Sequence, residues 1–251
     1  MAAARHGAVY LDLDGTLLGP GGNLFRNVDG AFCDAAVRAL QRLSDLEIPY
    51  VFVSGRSSSR VAEAARMLGA DGALAEVGAL DAGYPTREGQ TVHDAIAETG
   101  IPAELLAREP ALEEHPVSAL GREGSHVLRG RAQPDAFAWV TERSDGQLRL
   151  ADNGRIGPGE VHVYHLLPAA SSKSISVQRD LERRRVNGAA CLSVGDSLED
   201  MQVGRVVGTT ALVANGAVAE PELRRLASFV TRASHGAGVR EAVERWLGAD
   251  L

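Results

Sequence analysis

A doubly wound, Rossmann-like α/β core with a parallel sheet, carrying an inserted smaller α+β domain, is the fold class this sequence predicts. Three observations predict it. Short continuous apolar runs stop abruptly at acidic, serine or glycine residues, as strands buried on both faces of a parallel sheet do. Stretches with apolar spacing of three and four separate those runs. The same alternation occupies both ends of the chain and lapses in between, which reads as an insertion into a split domain.

Ala8-Val9-Tyr10-Leu11 is the first such run, halted by Asp12. Over residues 31–46, Phe32, Ala36, Val37, Leu40 and Leu43 recur at helical intervals, predicting a helix that returns across the sheet. Residues 49–53 form the second strand, 57–68 the next helix and 72–76 a short third strand, and β-α-β units of this kind pair in parallel. Towards the other end, a helix over 174–184 precedes a strand at 190–194. A helix over 198–207, a strand at 210–214 and a terminal helix at 239–247 continue the alternation. Between these blocks Pro, Gly, Glu and Arg become frequent and candidate strands shorten. Helices are expected there at 91–99 and 135–143, with strands at 126–131, 147–151 and 161–167. The division that follows is a discontinuous core of residues 1–83 and 167–251 and a cap of residues 84–166, about the size of a small domain.

The bulk numbers exclude several function classes. Aromatic residues make up 4% of the 251-residue chain and the formal net charge is -7. Stacking platforms for single strands and a basic footprint for nucleic acid are therefore not expected. With 45% hydrophobic and 24% charged residues, the composition is that of a globular enzyme. Cys33 and Cys191 stand far apart without a C-x-x-C or Cys/His ligand pattern, so both are expected as buried reduced thiols. The apolar stretch before Asp12 is too short for a signal peptide, and no apolar run is long enough for a bilayer. The expectation is a cytoplasmic protein with a small-molecule partner and neither nucleic acid nor membrane.

Ligands of open α/β sheets sit at the carboxyl ends of the strands, and this chain places its acids there. Asp12-Leu13-Asp14-Gly15-Thr16 follows the first run, with Gly15 allowing a sharp turn. One of the two carboxylates can attack while the other handles a proton. Gly195-Asp196-Ser197-Leu198-Glu199-Asp200 follows a later run and adds acids four residues apart at a helix start. A divalent cation with oxygen ligands relieves the repulsion among such acids, and Mg2+ is the usual choice beside phosphate. Ser54-Gly55-Arg56 follows the second strand and offers a hydroxyl, amides at a helix start and a cation suited to an oxyanion.

Asp12-Leu13-Asp14-Gly15-Thr16-Leu17 resembles the first signature of the haloacid dehalogenase superfamily. Val53-Ser54-Gly55-Arg56 resembles the second, Lys173 the third, and Gly195-Asp196 with Asp200 the fourth, in the family's order. The resemblance implies that Asp12 is the nucleophile of a phosphohydrolase and that Asp14 protonates the leaving group and later activates water. Asp12, the Asp14 carbonyl and Asp196 would hold magnesium with support from Asp200, while Ser54, Gly55 and Lys173 would bind the phosphoryl group. Arg56 is a possible substrate contact. Asp14 also speaks against dehalogenation, since the family's dehalogenases lack that acid. An insertion between the second and third signatures is similar to the type-B caps of the Cof-like, sucrose-phosphatase and mannosyl-3-phosphoglycerate phosphatase groups, implying a sugar phosphate or glycosyl-phosphoglycerate substrate. Three positions depart from the pattern. Ala75-Glu76-Val77-Gly78-Ala79 occupies the place where many relatives have Asn before the Gly, Ser174 follows Lys173 where Gly is common, and Glu199 stands where Asn is common before the final acid.

Plainer readings stand beside these. Asp-x-Asp-Gly alone is a turn or a calcium-like loop, Asp196 and Asp200 also read as helix-start acids, Ser54 as an N-cap, and Arg56 as a surface cation. Lys173, among Ser171, Ser172 and Ser174, also reads as a solvated loop residue. His162 and His165 read as structural or exposed strand positions, and Arg183 to Arg185 as a solvated helix face. Arg122, Arg129 and Arg131 are candidates for a substrate carboxylate or second phosphate, though surface cations are the commoner outcome. Two alternatives to the phosphatase remain: a phosphomutase of the phosphomannomutase type, and a phospho-aspartate signalling module. Asp14 weighs against the latter, because an adjacent general acid/base shortens the life of an acyl phosphate.

Overall fold

A computed structural model describes residues 7–116, 119–155 and 161–248, so the first six residues of the amino-terminal stretch considered above lie outside it. In chain order the strands are β1 (Val9–Leu11), β2 (Tyr50–Val53), β3 (Gly72–Leu74), β4 (Leu112–Glu114), β5 (His126–Gly130), β6 (Leu148–Arg155), β7 (His162–Pro168), β8 (Leu192–Gly195), β9 (Thr209–Leu212) and β10 (Phe229–Val230). The helices are α1 (Ala35–Asp45), α2 (Ser58–Leu68), α3 (Val92–Glu98), α4 (Ile101–Arg108), α5 (Pro134–Arg143), α6 (Lys173–Arg184), α7 (Leu198–Met201), α8 (Ala214–Ala219) and α9 (His235–Trp246). The chain forms two compact units, one of Met1–Ser54, Val61–Leu74 and Ser176–Leu251, the other of Gly55–Arg60 and Ala75–Ile175.

The first unit is built on a six-stranded sheet in the order β10-β9-β8-β1-β2-β3, with every neighbouring pair parallel. β1 lies at its centre, where Leu11 is flanked by Phe52 on one side and Val194 on the other. Ala8, Val9, Tyr10 and Leu11 are all fully buried, which explains why the strand reads as continuous apolar sequence. Ala8 and Tyr10 face Val177 and Leu181 of α6. Burying the Tyr10 hydroxyl demands a partner, and it donates to Asp180 Oδ2 at 3.1 Å, where Arg184 Nε also donates at 2.6 Å. Burial and the Asp180 charge push the phenol far above its ordinary pKa. Arg184, expected in a solvated face, holds the Asp180 carboxylate that meets β1, and its Nη2 donates to the Asp71 carbonyl at 2.8 Å.

Several boundaries differ from expectation for identifiable reasons. α1 begins at Ala35 and not at 31, because Phe32 belongs to a hairpin: it bridges Arg26, and its ring stacks on Phe25 at 5.6 Å. Cys33 closes that hairpin by donating its amide to Phe25 and is half-buried, whereas Cys191 is buried as expected; both are free thiols. The third strand stops at Leu74, since Glu76 and Val77 adopt left-handed φ values of 49° and 54°. The helix expected over 198–207 is one α turn that tightens into a 3-10 turn over Gln202–Arg205, where Gly204 contributes little helix propensity. The short elements α4, β4, α8 and β10 were not anticipated; each is too brief for a periodicity to show.

The second unit carries an antiparallel sheet in the order β4-β5-β7-β6. Leu128, Leu150, Tyr164 and Leu166 form one face and pack against Ile96, Leu105 and Val140 of the helices. The alternate positions, among them Val127, Ala151 and His165 in one register row, form the other face, where Ala151 and Leu167 meet Val77 and Ala79. α3 opens with a reciprocal cap, Thr91 Oγ1 accepting from the Asp94 amide and Asp94 from the Thr91 amide. Beside it, the rings of His93 and His126 stack 3.9 Å apart, and His126 Nε2 donates to the His93 carbonyl at 3.0 Å. Among the described residues no helix is long and apolar enough to cross a membrane.

Candidate active site

Asp12 continues the β1 ladder by donating its amide to the Val194 carbonyl at 3.1 Å. The chain then folds back, with the amides of Leu17 and Leu18 donating to the carbonyls of Asp12 and Leu13 at 3.2 and 2.8 Å. Gly15 takes φ +82° in this turn, and a Cβ there would lie 2.1 Å from Asp196 Oδ2. Only glycine satisfies both conditions. The turn leaves Asp14 exposed and buries Thr16, whose hydroxyl donates to Asp196 Oδ1 at 3.1 Å.

Two distant side chains grip this turn. Asn215 Nδ2 and His235 Nδ1 donate to the Gly15 carbonyl at 2.7 and 3.0 Å, and the His235 amide donates to Asn215 Oδ1 at 3.0 Å. Since a carbonyl only accepts, His235 carries its proton on Nδ1. Burial lowers the pKa of this imidazole, the Gly15 contact acting in the opposite direction. Neither residue was singled out from sequence. Asn215 follows a strand in a common Asn-Gly turn pair, and nothing local links it to a glycine 200 positions earlier.

Asp196 leaves the end of β8 in the same way that Asp12 leaves β1. Asp200 Oδ2 accepts from the amides of Asp196 and Ser197 at 3.2 and 3.1 Å and from the Ser197 hydroxyl at 2.6 Å. Asp200 thus serves the helix start, as its plainer reading held, and is also drawn against the acids. One carboxylate oxygen each from Asp12, Asp196 and Asp200 lies within 4.8 Å of the others. Asp12 is 5% and Asp200 2% exposed, so water screens their mutual repulsion poorly. Three hard oxygen donors without thiolate or imidazole fit magnesium or a similar cation. These three are the predicted site residues that the structure gathers. Asp14 is exposed and is not one of these three.

Ser54 is buried at the end of β2, the strand beside β1, and its amide donates to the Leu74 carbonyl at 2.9 Å. Gly55, Arg56 and Lys173 belong to the second unit. Arg56 is half-buried, and its carbonyl accepts the Glu76 amide at 3.0 Å. Lys173 opens α6 and is 2% exposed, which rules out a solvated loop residue. Glu76, within the stretch that departs from the family pattern, is fully buried. It accepts from the Glu123 and Gly124 amides and the Ser125 hydroxyl at 2.9 to 3.0 Å, and so anchors the left-handed turn in which it lies.

No family model matches the chain. It is 26% identical over 246 residues to a phosphoglycolate phosphatase of Methanothermobacter thermautotrophicus, covering 96% of this chain and 99% of that one. A haloacid dehalogenase-like hydrolase from Bacteroides thetaiotaomicron superposes with a TM-score of 0.66 at 18% identity, over 96% of this chain and 99% of that one. The sucrose-phosphatase of Synechocystis, solved with sucrose and phosphate, gives a TM-score of 0.66 at 18% identity, over 97% and 98%.

Proposed function

Because the chain is a phosphatase with the haloacid dehalogenase-like fold, we propose that it hydrolyses a small phosphorylated carboxylic acid of the phosphoglycolate class through a phosphoaspartate on Asp12. The observation that carries this reading is the convergence of Asp12, Asp196 and Asp200 within 4.8 Å at the carboxyl ends of two adjacent parallel strands. The relative's name favours a carboxylate-bearing substrate over the sugar phosphate expected from the cap resemblance, since the sucrose-phosphatase likeness reaches only to the fold.

In the first half-reaction the Asp12 carboxylate attacks phosphorus and the ester oxygen departs with a proton from Asp14. In the second, Asp14 takes a proton from a water molecule, whose oxygen displaces Asp12 and releases inorganic phosphate. Exposure of Asp14 suits a group that must exchange protons with leaving group and water in turn. Asp12, Asp196 and Asp200 with the Asp14 carbonyl would hold magnesium, which when bound supplies positive charge to offset that on the phosphoryl oxygens. Ser54, Gly55 and Lys173 are assigned to phosphoryl binding, and Arg56 to a substrate contact, on the signatures they match. Residues 84–166 are assigned to substrate selection.

A panel of phosphoglycolate, sugar phosphates, glycosyl-phosphoglycerates and an aryl phosphate, assayed for phosphate release, tests the reading. Asp12→Asn is expected to abolish release while its far-ultraviolet circular dichroism matches wild type, because the amide keeps the shape and loses the nucleophile. Turnover surviving in that variant, or an isomerised product without free phosphate, would refute it.

A further inference from the structure

Asn215 and His235 take no part in the chemistry above, yet both reach the turn that carries it. His235 is the first residue of α9, and its backbone is left-handed, with φ +52°. That conformation is uncommon outside glycine and persists where surrounding contacts over-determine it. Here they do. The imidazole Nδ1 donates to the Gly15 carbonyl and the amide to Asn215 Oδ1, each at 3.0 Å. The loop before it is anchored as well. Glu241 of α9 accepts the Arg232 and Ala233 amides at 2.9 to 3.1 Å. The Ala233 carbonyl accepts from the Ala214 amide at 3.2 Å and the Thr231 hydroxyl at 2.7 Å.

This anchored segment bears on the backbone around the acid cluster. Gly216 packs tightly against Asp196, for a Cβ there would lie 2.4 Å from the Asp196 carbonyl oxygen and 2.7 Å from its Cα. Gly15 packs against the Asp196 carboxylate, to which Thr16 donates at 3.1 Å. The Asp14 carbonyl, assigned above to the cation, belongs to the planar peptide group that ends on the Gly15 nitrogen. Its orientation is therefore limited by whatever fixes Gly15 and Thr16. Asn215 and His235 fix the first through its carbonyl, and Asp196 fixes the second.

We infer that His235 is a positioning residue for the cation: with Asn215 it fixes the turn that carries the Asp14 carbonyl, and so sets how tightly magnesium is held. The inference rests on the cation reading proposed above and names residues that tune it. A histidine in the left-handed conformation costs stability that a glycine there would not, and its imidazole gives the Gly15 carbonyl a second donor beside Asn215.

The test is magnesium binding to the full chain without substrate, measured by isothermal titration calorimetry beside melts of the cation-free protein. His235→Gly is expected to weaken magnesium binding by about ten- to a hundredfold, the usual effect of losing a group behind the ligands. Its cation-free melt should stay near wild type, since left-handed backbone suits glycine. His235→Asn tolerates the same φ and carries an amide nitrogen on Cγ, as histidine carries Nδ1, so it is expected to recover part of the affinity. Should His235→Gly fail to fold, His235→Phe, which keeps the bulk and loses the donor, decides in its place. Magnesium bound as tightly by the folded variant as by wild type overturns the positioning role alone, whether or not the cation-free melt has fallen. A wild type that binds no magnesium removes the cation reading and the role with it.

Discussion

Gly15 shows how one residue can be answerable to three parts of the chain: its φ of +82° and its approach to Asp196 are set locally, while its carbonyl is held by Asn215 and His235. Removing one grip should loosen the turn that presents Asp14, and misplacement by about an ångström can cost two orders of magnitude in rate. Asn215→Ala is accordingly expected to lower kcat by about ten- to a hundredfold with a much smaller change in KM, read by steady-state kinetics beside a thermal melt. A wild-type kcat would show that the grip does not matter to turnover. The meeting of Asp12, Asp196 and Asp200 was legible because each lies within a few residues of a strand end in a compact pattern. Asn215 and His235 were not, because their partner lies 200 and 220 positions away and spacing carries no signal over such a separation.

Elements were legible where their burial is uniform. β1 and β2, buried throughout, show as apolar runs, whereas α1 was overextended because Phe32 imitates its period while pairing in a hairpin. The contact of α3 with β5 was invisible, since stacked histidines leave no pattern in sequence, and it has a pH signature. Burial, followed by the neighbouring His93, lowers the His126 pKa from 6.5 to about 4. The unfolded chain therefore takes up this proton first as pH falls, and the folded state loses stability between pH 6.5 and about 4, having its full share above that window. The shift corresponds to as much as about 3 kcal/mol. Buried His165 adds to the same trend. Thermal melts between pH 7 and pH 5 should thus fall less steeply in His126→Gln than in wild type; parallel slopes would place the acid sensitivity elsewhere.

At the scale of the whole molecule, the alternation at both chain ends and its lapse in the middle disclosed a parallel core and an inserted α+β unit, because those are consequences of bulk patterning. Metal dependence belongs to this scale too, since acids from separate stretches of chain meet in one cluster. A cation bound only by the folded state raises its stability. A chelator is therefore expected to stop turnover and lower the melting temperature together, and excess magnesium to restore both; a melt indifferent to chelator and magnesium would exclude a resident cation. The strand order carries a consequence for biosynthesis. β1 is made first, yet it lies between β2 and β8, and β8 is synthesised only after the whole insertion. At usual translation speeds the open edge of β1 waits on the order of ten seconds or more, a long time for a fully apolar strand edge. Ribosome-arrested chains ending before residue 192 are expected to crosslink to holding chaperones, and chains released at full length to escape them, so that the cell must shelter this core until its last third emerges.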